Sequence, residues 1–133
     1  VELFMRQPWV MTCTDGGLVQ MGSGVPHPRN YGTYPRKLRK YVIDDDVVGL
    51  SDAVRSMTYT PATLYRVADR GIIRVGAIAD LAVIDPATVR DTATFTDPHQ
   101  LSEGMVHVLV NGQLVIDGAR FTGALPGQVL SQR

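Results

Sequence analysis

One dipeptide fixes more of this chain's architecture than any other. Asn111-Gly112 joins two runs rich in β-branched residues in "MVHVLVNGQLVIDG" (105–118). A two-residue type I′ turn needs positive φ at both central positions, and Asn-Gly adopts that at little steric cost. The flanking runs are therefore expected to pair as an antiparallel hairpin. The β character reaches back to Asp69. There "DRGIIRVGAIADLAVIDP" reads as a turn, a short strand, a glycine, and the apolar run Leu81 to Ile84 closed by Asp85-Pro86.

The first half follows a different rhythm. "WVMTCT" (Trp9 to Thr14) is short, apolar and β-prone, as a strand buried on both faces would be. "DGGLVQMGSGVPHPRNYG" (15–32) holds five glycines and two prolines, a long irregular loop of the kind that carries function. From Thr33 the spacing turns helical. Thr33 is placed to cap the helix and Pro35 suits its first turn. Tyr34, Leu38, Tyr41 and Val42 form one apolar stripe, and Arg36, Lys37, Arg39 and Lys40 a solvated face. Asp44, Asp45 and Asp46 read as the loop that ends it. A second helix over Leu50 to Met57 is expected to bury Leu50, Val54 and Met57. A third starts with Thr60 as cap and Pro61 in first position.

Charge narrows the function classes. Thirteen basic side chains balance thirteen acidic ones, which argues against a phosphate-binding or membrane-surface role; "RKLRK" has no aromatic stacking platform beside it. No apolar run approaches the ~20 residues of a membrane span. No signal peptide is legible. Cys13 is the only cysteine, which suits a reducing, cytoplasmic setting. The chain opens on Val1, and "VELFMRQPWV" reads as the end of a helix entering a strand, as in a piece cut from something longer.

Asp15 raises a question of chemistry. Asp and Gly favour turns for backbone reasons alone, so "TDGG" has a plain structural reading. At the end of a strand, the same residue would instead present a carboxylate. Of the histidines, His99 reads as a loop tie, while His107, alternating with Val106 and Val108, faces water or an edge. No His-x-His pair or other metal-ligand spacing occurs. Cys13 reads as a small buried hydrophobe.

Two layers of motif carry a resemblance. "DRGIIRVGAIADLAVID" followed by "VHVLVNGQLVIDG" resembles the closing β segment of the amidohydrolase superfamily. "HPRNYGTYPRKL", "TVRDTATFTDPHQ" and "TGALPGQVL" resemble the N-acyl-D-amino-acid deacylases, the D-aminoacylase family. The resemblance implies an α/β fold: the C-terminal fragment of a (β/α)8 barrel hydrolase, followed by part of a small β-sandwich. Residues 1–68 would be the barrel's end, with Val10 to Thr14 its eighth strand, and 69–133 the β-rich composite domain. Family members usually have Gly-Ser-Asp-Gly where this chain has Cys-Thr-Asp-Gly.

Asp15 takes the place of the family's signature aspartate. The resemblance implies that it acts as general base and then acid, at the mouth of the barrel, and shares a zinc ion whose other ligands lie on strands outside this chain. Zinc lowers the pKa of bound water to roughly 7 and polarises the scissile carbonyl. The substrate, an N-acyl-D-amino acid, carries a free carboxylate, which the planar fork of Arg29 could clamp, with His27 and Tyr31 lining or orienting. Equally, Arg29 could pair with a local acid in a loop pinned by Pro26, Pro28 and Pro35. The partners implied are that small molecule and the N-terminal part of the same barrel. A strand without its neighbours leaves both edges free, so self-association is also expected. Two rivals remain: an amidohydrolase of cyclic amides, like hydantoinases and dihydroorotases, and a non-catalytic β-rich assembly module.

Overall fold

The computed structural model describes residues 1–130. The hairpin forms as expected: β2 (Met105–Val110) runs antiparallel to β3 (Gln113–Asp117), with Val110 opposite Gln113. Asn111 (φ 49°) and Gly112 (φ 78°) supply the two left-handed positions. β1 (Leu81–Ile84) lies antiparallel along the other edge of β2, and β4 (Arg120–Phe121) follows β3 through a second left-handed pair, Gly118-Ala119. The result is a four-stranded meander in the order β1-β2-β3-β4.

Side chains of the segment before β1 fasten it to the hairpin. Asp80 accepts the Asn111 backbone N–H (2.8 Å) and pairs with Arg70, which also donates to the Asn111 side-chain oxygen (2.6 Å). Asn111 in turn donates to the Pro126 carbonyl (2.5 Å), so one turn residue anchors three stretches of chain. The short strand expected around Ile72 to Val75 does not form. Gly71 and Gly76, both at positive φ, bend the chain on either side of it, and Ile73 and Val75 stand in solvent.

The helical half comprises α1 (Glu2–Met5), α2 (Arg29–Arg36), a π-helix (Lys37–Asp44), α3 (Leu50–Met57) and α4 (Tyr59–Leu64). α2 starts four residues earlier than Thr33. The His27 ring nitrogen accepts the Arg29 N–H (3.0 Å), serving a donor that the helix leaves free. Thr33 therefore lies mid-helix, its hydroxyl bonded back to the Arg29 carbonyl (2.8 Å), and Pro35 is interior. Proline cannot donate to the carbonyl four residues back. Ser102 does so instead, its hydroxyl reaching the Tyr31 carbonyl at 2.8 Å.

α3 has the expected bounds but buries Ala53 and Ser56, while Leu50 and Val54 face outward. Small residues let it approach the π-helix closely, and that contact selects the face. α4 begins at Tyr59, one residue before the expected cap, and Pro61 sits in its first turn. Leu38, Val47, Val48 and Ala53 make the core of this half; Val89 and Ala93, in the connection between β1 and β2, are buried as well.

Val10 to Thr14 is not a strand. Its one backbone bond to another element runs from the Thr12 N–H to the Ser56 carbonyl (2.9 Å). A sheet strand needs a neighbour on its edge, and among the described residues neither outer strand of the meander, β1 or β4, pairs with it. The described chain thus combines helices with an antiparallel sheet.

Candidate functional site

Asp15 leaves the extended Thr12–Thr14 stretch in a left-handed conformation, φ 47°, which Asp tolerates better than most residues. Its side chain is 84% exposed rather than set at the tip of a buried strand. Cys13 is exposed as well, not buried. Both differences have one cause: the strand they were expected to belong to has no partners here.

Arg29, at the start of α2, places Nη2 2.9 Å from the Asp15 carboxylate, so two candidate residues meet directly. Three local contacts fix that meeting. The Asn30 side chain donates to the Gly17 carbonyl (3.3 Å), Thr14 Oγ1 accepts the Gly16 N–H (3.2 Å), and His27 orients the Arg29 backbone. The His27 ring also meets Phe95 edge-on, with centroids 4.9 Å apart. Arg29 was open between a substrate clamp and a partner for a local acid; in this chain it pairs with the acid.

Tyr31 points elsewhere. Its hydroxyl lies 2.8 Å from His99 Nδ1, which also accepts the Gly22 N–H (3.2 Å), while His99 Nε2 meets the Gly24 carbonyl (3.0 Å). Two donors at Nδ1 and a carbonyl at Nε2 place the ring proton on Nε2. His99 is a loop tie, as expected, and what it ties down is the distant glycine-rich loop. His107 pairs with Asp117 (2.9 Å) at a part-exposed position on β2.

The charged face of "RKLRK" needs correction at one residue. Arg36 pairs with Asp91, Arg39 with Asp44 and Lys40 with Asp45, all at the surface. The hydrogen bond that Lys40 donates to Asp45 is the largest of the effects that raise the Lys40 pKa. Asp44, the last residue of the π-helix, and Asp45 just beyond it are thus engaged by bases. Lys37, however, is buried, and Nζ donates to Thr12 Oγ1 (2.6 Å) and Ser56 Oγ (2.7 Å). Burial lowers its pKa below the ordinary lysine value. A helical stripe of bases gives no sign of this, because the two hydroxyls come from segments 25 and 19 residues away.

Among the described residues, no group of three His, Cys, Asp or Glu side chains could hold a metal ion. Asp15 by itself is one carboxylate facing an arginine. The residues described here do not form a zinc site, and no catalytic step through a metal is derived from them. Also among the described residues, no helix is long and apolar enough to cross a membrane.

The Amidohydrolase family model matches residues 1–116. N-acyl-D-aspartate deacylase from Alcaligenes xylosoxydans xylosoxydans is 45% identical over 106 residues, which cover 80% of this chain and 21% of that protein. D-aminoacylase from the same organism is 45% identical over 138 aligned residues, 99% of this chain and 28% of that protein. A crystal structure of D-aminoacylase superposes with TM-score 0.78 at 44% identity, covering 81% of this chain and 23% of that one. N-acyl-D-glutamate deacylase from Bordetella bronchiseptica, solved with zinc and a phosphonate mimic of the tetrahedral intermediate, gives TM-score 0.79 at 38% identity over 88% of this chain and 25% of that one. The chain therefore spans about a quarter of the length of its relatives. A fold, a motif order and a family model that agree over most of its residues show that this chain belongs to the amidohydrolase family.

Proposed function

We propose that this chain is part of a zinc-dependent hydrolase that cleaves N-acyl-D-amino acids to a carboxylate and a free D-amino acid. Residues 1–68 form the end of its (β/α)8 barrel and 69–133 part of its β-sandwich. In the whole enzyme Val10 to Thr14 pairs as a barrel strand between neighbours that other segments supply, and Asp15 faces the common mouth. Ligands on those segments, with Asp15 as a shared one, would hold the zinc ion, which would supply an activated water when bound. Asp15 takes a proton from water and hands it to the leaving nitrogen. A lone cysteine suits a cytoplasmic setting for such an enzyme.

The observation that carries this reading is the Asp15–Arg29 pair, 2.9 Å apart, in a chain 45% identical to D-aminoacylase. An amide hydrolase for N-acyl amino acids needs a proton-transfer group and a cation for the substrate carboxylate within one substrate's length. Arg29 engages Asp15 through one nitrogen of its fork and is 42% exposed, so its remaining N–H groups can take a second carboxylate. His27 sets the position of Arg29, and Tyr31, held by His99, lines the loop behind it.

The test is turnover by the whole enzyme on N-acetyl-D-amino acids, their L forms, and cyclic amides such as hydantoins and dihydroorotate. The expected result is D-selective deacylation, lost in Asp15→Asn by about a hundredfold or more. Preference for the ring substrates, or normal turnover in Asp15→Asn, overturns it. Arg29→Lys keeps the charge but loses the fork, and is expected to raise KM about tenfold with little change in kcat.

A further inference from the structure

Lys37 is a buried ammonium whose side-chain partners are two hydroxyls. Among the described residues no carboxylate pairs with it. For packing alone, a methionine of similar length would serve without the desolvation that a charge suffers there. What the ammonium adds is a pair of short, charge-assisted hydrogen bonds to groups on separate elements. One goes to α3, through Ser56 Oγ at 2.7 Å; the other goes to Thr12 Oγ1 at 2.6 Å. Ser56 also accepts the Thr12 N–H at its carbonyl, 2.9 Å. That backbone bond belongs to the unpaired stretch seen here; the side-chain bond from Lys37 leaves the Thr12 backbone free to pair in a barrel and holds it three residues ahead of Asp15.

Ser56 is not a lysine-activated nucleophile in this arrangement. Its own hydroxyl donates to the Ala53 carbonyl (2.7 Å), and its side chain is buried. The cluster has a mechanical role. Here the π-helix and α3 both grip the stretch that carries Asp15. On the reading of Asp15 as the proton-transfer group, we propose that Lys37 is a positioning residue for the reaction, acting through Thr12 to fix where the Asp15 carboxylate stands.

The test uses the whole enzyme with Thr12→Val, Thr12→Ser and Lys37→Met, each assayed for kcat and KM beside Asp15→Asn. Thr12→Val keeps shape and removes the hydroxyl; Thr12→Ser keeps the hydroxyl. Thr12→Val and Lys37→Met are expected to lower kcat about tenfold or more while KM changes less than about twofold, the mark of a misplaced catalytic group. Thr12→Ser should restore kcat to near the parent value. The double variant Thr12→Val/Lys37→Met should fall no further than Lys37→Met alone, because both remove the same contact. A kcat unchanged in Thr12→Val, or one equally low in Thr12→Ser, overturns the proposal even if Asp15→Asn is inactive. Activity in Asp15→Asn would instead remove the reading of the site itself.

Discussion

Lys37 and Asp15 show how a single residue's environment departs from its sequence neighbourhood. Lys37 lies in a run of bases, yet burial lowers its pKa from 10.5. In the unfolded chain the ordinary value returns, so between the two values the unfolded state holds more protons. Stability then rises with pH across that alkaline window. Denaturant midpoints taken from neutral pH to about 10.5 should climb more steeply in the parent than in Lys37→Met; superimposable profiles would refute the buried charge. Asp15 and Arg29 were legible as candidate residue types, through the motifs around them. Their direct contact was not, because nothing in a loop with five glycines fixes which of its side chains meet. Asn111 was legible throughout: only a left-handed pair closes that turn. Asn111→Ala is expected to cost about 1–3 kcal/mol, from the strained φ and from the Arg70 and Pro126 bonds it forgoes, read as a shift in thermal midpoint.

At the scale of elements, the sheet was readable and the helical starts were not. β1, β2 and β3 follow from apolar alternation and turn chemistry, which act over a few residues. α2 was placed late because Pro35 matches a first-turn proline in every local respect. Its true setting depends on Ser102, which donates to the Tyr31 carbonyl, 71 residues back along the chain, that Pro35 leaves free. Ser102→Ala should cost about 1–3 kcal/mol by stranding that carbonyl, whereas Ser102→Thr, which retains the hydroxyl, should cost less; equal losses would argue against the bond. The π winding has a sequence trace visible only in hindsight. Arg39 pairs with Asp44 and Lys40 with Asp45, each five apart, the spacing of one π turn. The link between β1 and β2 turns on Gly104. It sits at φ 78°, and a Cβ there would lie 2.4 Å from the Val89 backbone nitrogen. Gly104→Ala therefore cannot be absorbed by a rotamer change. It should displace the Arg90–Glu103 bridge and lower stability by several times the ~1 kcal/mol of an ordinary glycine replacement.

For the whole molecule, one stretch read as a strand forms none among the described residues. Val10 to Thr14 has strand composition and no strand partner, and the apolar stripe of α3 faces outward. Leu3, Phe4, Trp9, Leu18 and Val25 are exposed in the same N-terminal third. Exposed apolar side chains continue along the rest of the chain, Ile73, Val75, Phe95 and Leu125 among them; large apolar surface of this kind marks a face meant to be covered, and free strand edges offer a template for pairing. In the enzyme proposed above, the rest of the barrel covers that face. The 133-residue chain alone should then cover it with copies of itself. Sedimentation velocity over a hundredfold concentration range is expected to show reversible growth beyond the monomer. The emission of Trp9, the only tryptophan, should move to shorter wavelength in step with it. Trp9→Ser with Phe4→Ser should weaken association without changing the fold of the sheet, because neither residue touches β1 to β4 in sequence or register. Since no metal-holding group is found among the described residues, the same preparations should neither retain stoichiometric zinc through dialysis nor hydrolyse N-acetyl-D-amino acids. A chain that stays monomeric at every concentration, with Trp9 already shielded, would mean that this face is closed internally, and the case for an absent barrel wall would fail with it.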